Sequence, residues 1–130
     1  MTSIQNERAT LAMIGFFLCR EGLIPEAEAI FAGLSGSEPD RDGPAAGLAL
    51  CAIIRGDCSR AVALLDEHLA KGDACAIPAE LNLYKLLAFG MADRLADARA
   101  LREEMVHKGM AGAVEIADRL LDDLSKKAAR

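Results

Sequence analysis

Four cysteines, two histidines and several carboxylate pairs are the residues of this chain whose types could carry chemistry. Cys19, Cys51, Cys58 and Cys75 include no Cys-x-x-Cys pair, and His68 and His107 stand alone in the sequence. Metal sites draw on Cys and His ligands grouped at short helical or loop spacings. The expectation is therefore no metal and no cofactor. Cys19 and Cys51 lie in apolar stretches and read as small buried hydrophobes, reduced in a cytoplasmic protein. Asp66, Glu67 and His68 are adjacent, and neighbours on a helix point in different directions. Glu103-Glu104 and Asp122-Asp123 suit a solvated helix surface better than acid–base work. No Gly-x-Ser-x-Gly elbow and no phosphate loop occurs. The chemistry-bearing residues thus point away from an enzyme and toward a protein that binds.

The elements around these residues are helical. Apolar residues make up 52% of the 130 residues while aromatics make up 4%, with Ala and Leu abundant. Strands draw on aromatics, Val, Ile and Thr, so this balance favours close-packed helices in one domain. The net charge is −5 and no basic patch is interleaved with aromatics, which argues against nucleic acid. The apolar run Leu11 to Cys19 is too short to span a bilayer, and it lacks a small-residue cleavage site. The Arg55-Gly56-Asp57 triplet reads as an inter-helix turn rather than an integrin-type motif.

Glycines organise the helices. Gly22, Gly56 and Gly90 are each 34 residues apart, and each closes an apolar helical stretch. Glycine suits such positions because it accepts the left-handed conformation of a helix C-terminus. A first helix is expected over about Asn6 to Arg20. The next opens at Pro25, where a missing amide proton costs nothing. The spacing predicts a unit over about 8–41, a second over 42–75, a degenerate third over 76–109, and a final amphipathic helix over 110–126. In the first unit, Leu11, Ile14 and Leu18 are expected to lock the helix pair together. The apolar residues on the other side of that helix, Ala12, Phe16 and Cys19, are left to face a groove.

Leu11, Ile14, Gly15, Leu18, Ala27, Phe31 and Pro39 fit the tetratricopeptide pattern, so the chain resembles a short right-handed solenoid of about three helix pairs with a C-terminal capping helix. The resemblance implies that the first helix of each pair lines a concave surface. Carried over position by position, that surface comprises Ala12, Phe16, Cys19, Ala46, Leu50, Ile53, Ile54, Tyr84 and Leu87. Only Arg20 and Lys85 lie near it, which disfavours a clamp for a charged peptide end. An apolar lining suits the amphipathic helix of a protein partner.

Over Leu11 to Leu124 the chain looks like the small type III secretion chaperones that hold needle subunits, of the YscG and PscG type. The carriers are the opening helix pair, Ile53 to Asp57, the stretch LNLYKLLAFG and the final AVEIADRLLDDL. The altered third turn and the longer tail depart from that pattern. The resemblance implies a cytoplasmic, non-catalytic chaperone in virulence-associated protein transport. It would hold the C-terminal helix of the needle subunit and block premature assembly, often beside a second small helical co-chaperone. The alternative is a generic repeat scaffold, or a homodimer, with no secretion role.

Overall fold

The computed structural model describes residues 3–37, 42–72 and 75–128. Among these the protein is all-α, with seven helices and no strand. They are α1 Ser3–Arg20, α2 Ile24–Ser37, α3 Asp42–Ile54, α4 Cys58–Leu69, α5 Pro78–Met91, α6 Leu95–His107 and α7 Ala111–Ala128. Pro25 and Pro78 sit in the first turns of α2 and α5, where proline fits. The Asp57 carboxylate accepts from the Arg60 N–H at 3.1 Å and caps α4. The closing Pro39 of the sequence pattern lies outside the described residues.

One turn geometry recurs. At Gly22 the backbone is left-handed, Leu23 N–H donates to Leu18 O at 2.9 Å, and Gly22 N–H donates to Cys19 O at 3.1 Å. The same pair of bonds closes α3 at Gly56, α5 at Asp93 and α6 at Gly109. This is a Schellman ending, which satisfies carbonyls a helix C-terminus would otherwise leave open.

The third of these turns corrects the sequence reading. Gly90 does not end its helix. It lies inside α5, buried, and a Cβ there would collide with the Leu124 side chain of α7. The left-handed residue is Asp93, three positions later, an amino acid that tolerates this region better than most. The regular 34-residue spacing therefore marks two different physical demands. Two glycines serve a turn and the third serves close helix approach.

Each helix packs on its sequence neighbours, and the odd-numbered helices also pack on one another in the order α1, α3, α5, α7. Helix packing of this kind fits a helical repeat. Phe31 of α2 organises its first three helices. It is fully buried, and its ring is held between Gly15 of α1 and Gly47 of α3. A Cβ at Gly15 would lie 2.7 Å from the ring, and one at Gly47 would also collide with it. Phe16 meets Phe31 edge-on, with centroids 4.8 Å apart. Ala27, Cys19, Ile24 and Cys51 complete this cluster. At the other end, α7 lies on α5 and α6 with Ala117 buried and Asp118, Asp122 and Lys126 exposed. Arg102 of α6 donates to both Asp118 oxygens at 2.8 and 3.2 Å and holds that carboxyl below its ordinary range.

The face of α1 also differs from expectation. Leu11 and Ile14 are 43% and 42% exposed and do not lock the pair. Gly15, Phe16 and Cys19 do so, with Leu18 at the edge. The reason is steric: the aromatic ring of Phe31 needs a bare backbone opposite it, and that fixes the rotation of α1 about Gly15. Substituting Gly47→Ala should lower the urea midpoint, since overpacking costs about 1–3 kcal/mol against about 1 kcal/mol of helix propensity gained. Gly33→Ala, in the same core-forming pair but with open space around it, should raise the midpoint. Equal behaviour of the two variants would contradict the clamp.

Candidate functional site

The layer formed by the odd-numbered helices places the expected site residues in two tiers. Cys19, Ala46 and Ile53 are buried and form a floor. Ala12, Phe16, Leu50, Tyr84 and Leu87 are half-buried, and Ile54 is exposed. Phe16 of α1 and Tyr84 of α5 pack against one cluster that includes Ala46, Ala49 and Leu65. Small residues on α3 let aromatic side chains from both flanking helices reach the same place. Tyr84 and Leu87 also pack on Ala52, Ile53, Ala61 and Ala88. Leu50 instead joins Phe16 against the Phe31 cluster. Phe16 and Tyr84 are therefore more core than anchor, with a minority of each ring left to solvent.

One open part lies where α3 and α5 end. Ile53, Ile54, Gly56, Cys58, Ala88, Met91 and Ala92 line an apolar depression of about 100 Å³. That volume takes one aliphatic side chain, well below the roughly 300–1,000 Å³ of small-molecule sites. Ile54 and Met91 stand at its lip, 45% and 60% exposed. Sequence reasoning misses Met91, Ala92 and Cys58 here. The 34-residue alignment stops the third helix at Gly90, which puts the residue just beyond it in a turn.

Charge plays a small part. Lys85 pairs with Asp66 at 2.7 Å, and the Arg20 guanidinium lies 5.7 Å from the Phe17 ring centroid. Both cations that could serve a peptide clamp thus have contacts within the chain. Arg55 of the triplet donates from Nε to Glu28 at 2.7 Å and Asp57 caps α4, so both charged side chains of the triplet have structural roles. Burial pushes the Tyr84 hydroxyl above its ordinary pKa, helped by Cys19. Burial likewise pushes the Cys51 thiol up to about 12, and the Cys19 sulfur 3.4 Å away adds to the effect.

Two features escape the sequence. Leu11, Met13, Ile14, Phe17 and Leu23 are all exposed, leaving an apolar face on α1 and the turn after it. Asp42, His68 and Cys75, distant in sequence, have ligating atoms within 4.8 Å of one another. This corrects the expectation that no such residues are grouped. Asp42, the first residue of α3, also accepts the Ala76 N–H on Oδ2 at 3.0 Å.

No helix among the described residues is long and apolar enough to cross a membrane. No protein-family model, curated protein or solved structure matches the chain.

The two tiers are separable by thiol chemistry. In the native protein, half-buried Cys58 should react with a maleimide at least about tenfold faster than Cys19 or Cys51, because burial shields both of those sulfurs and also raises the Cys51 pKa. Site-resolved mass spectrometry reads the rates. Labelling of Cys19 as fast as Cys58 would place it in an open groove rather than beneath one.

Proposed function

We propose that this protein is a non-catalytic binding protein of tetratricopeptide type whose inner face holds an amphipathic helix of a partner. The observation that carries the reading is the apolar depression between α3 and α5, with Ile54 and Met91 exposed at its lip. A single aliphatic side chain fills it, and Leu87, half-buried on the preceding turn of α5, extends the apolar surface. Anchors at three- or four-residue spacing on a partner helix match such a row. Exposed apolar clusters on small proteins commonly mark contact sites. The final helix α7 packs on α5 and α6, in the place of a cap on the array. Its charged residues face out, as repeat ends require.

The finer reading follows the sequence resemblance. The partner is the C-terminal helix of a type III secretion needle subunit, held in the cytoplasm so that needle proteins do not polymerise early, with a second small helical co-chaperone as a further partner. A second reading is supported by the exposed face of α1. Leu11, Met13, Ile14 and Phe17 give enough apolar surface for a scaffold or a homodimer with no secretion role.

One experiment separates the two. Co-expression with a candidate needle protein should yield a soluble complex. Ile54→Asp, at an exposed position, should weaken it by about tenfold or more, and Ile14→Asp should leave affinity unchanged. Unchanged binding by Ile54→Asp would overturn the inner-face reading. Light scattering that finds a dimer dissolved by Ile14→Asp, without binding of the needle protein, would establish the second reading instead.

A further inference from the structure

We propose that Asp42, His68 and Cys75 form a binding site for a divalent transition metal ion of the zinc class. The three residues come from three segments: the start of α3, the end of α4 and the connection leading into α5. His68 is 3% exposed, Cys75 is 7% exposed and the Asp42 side chain is largely buried. Their ligating atoms all lie within 4.8 Å of one another. An oxygen, an imidazole nitrogen and a sulfur are a donor set that suits zinc, a borderline-soft ion, and suits calcium or magnesium poorly.

The geometry allows coordination with small movements. Tetrahedral zinc bonds of about 2.0–2.3 Å place donors about 3.3–3.6 Å apart. This lies inside the observed envelope. His68 Nε2 and Asp42 Oδ1 are 2.5 Å apart, so they must separate by about 1 Å to admit the ion. Admitting the ion would exchange the Asp42 Oδ1–His68 Nε2 hydrogen bond for two bonds to the metal. The second Asp42 oxygen is already held by the Ala76 N–H at 3.0 Å, the kind of outer contact that orients a metal-binding carboxylate.

A His68–Asp42 hydrogen bond alone needs only those two side chains. The Cys75 sulfur, buried against Ala46, Ala49, Leu65 and Leu81, adds a third donor beside the same carboxylate. Three protein donors leave one position of a tetrahedron for water. As the sulfur–metal bond forms, the Cys75 proton leaves to solvent, so the ion meets two anionic ligands and a neutral imidazole. Binding would tie α3, α4 and the approach to α5 together.

Cobalt(II) is the probe, because its tetrahedral thiolate complexes are coloured. The full chain, stripped with a chelator, is titrated with cobalt(II) and then zinc(II), and melting is followed with and without zinc. The expected result is one cobalt per chain, with a thiolate-to-metal charge-transfer band and strong visible absorption that zinc removes. Cys75→Ser should abolish the charge-transfer band. It should weaken zinc binding by about 10–100-fold while retaining the helical circular dichroism spectrum. Cys58→Ser should bind as the parent does, which keeps the assignment testable if His68→Asn fails to fold. Absence of the band in the parent protein would overturn the proposal, as would an equal zinc-induced melting shift in parent and Cys75→Ser.

Discussion

The fit of the Phe31 ring between two bare stretches of backbone sets the geometry of this protein. Gly15 on α1 and Gly47 on α3 both lie so close to the ring that neither position has room for a methyl group. Because the ring touches both helices, one side chain of α2 fixes the spacing and rotation of the two inner helices together. A fully buried phenylalanine is worth about 3–5 kcal/mol against truncation, a large share of the roughly 5–15 kcal/mol by which domains are stable. Phe16, Cys19 and Cys51 then pack around the same ring. What remains on the outside of α1 is exposed because the ring has chosen which side faces in.

The same logic recurs at the opposite end with aliphatic side chains. Leu124 lies over Gly90 as Phe31 lies over Gly15 and Gly47, and α7 comes close to α5 there. Between these two contacts the inner layer is built from small residues on α3, including Ala46 and Ala49, with larger side chains of α1 and α5 leaning over them. Lys85–Asp66 joins successive helices with its lysine largely buried, and Arg55–Glu28 joins two others at the surface. Exposed pairs of this kind contribute little stability. Backbone approach and apolar burial therefore set the shape, and charge trims it.

Much of this is legible in the residues. Gly22 and Gly56 announce their turns through the left-handed backbone that only glycine adopts freely, and Pro25 and Pro78 announce helix starts. The all-helical architecture follows from them. Gly90 misleads because a helix-interior glycine that admits a neighbour and a helix-ending glycine look alike in a sequence. Asp93, the true turn residue, carries a much weaker signal. The rotation of α1 is also hidden. Leu11, Ile14, Phe16 and Cys19 are all apolar, so hydrophobicity alone does not say which of them meet Phe31. The Asp42–His68–Cys75 cluster is invisible for another reason, because its members meet only after two helix pairs have stacked. The two-tier character of the inner face likewise needs burial, since Ile53 and Ile54 are adjacent and identical in type yet one is floor and the other rim.

That last pair offers the most direct test of the central proposal, that the layer of odd-numbered helices receives a partner helix. The protein is labelled at isoleucine δ1 methyl groups, and NMR spectra are recorded as a peptide spanning the C-terminal helix of a needle protein is added. The expected result is a large shift at Ile54 and a smaller one at Ile53 beneath it, with Ile14 and Ile116 unmoved. Shifts concentrated at Ile14, with Ile54 silent, would place the partner on the outer face of α1 and contradict the claim.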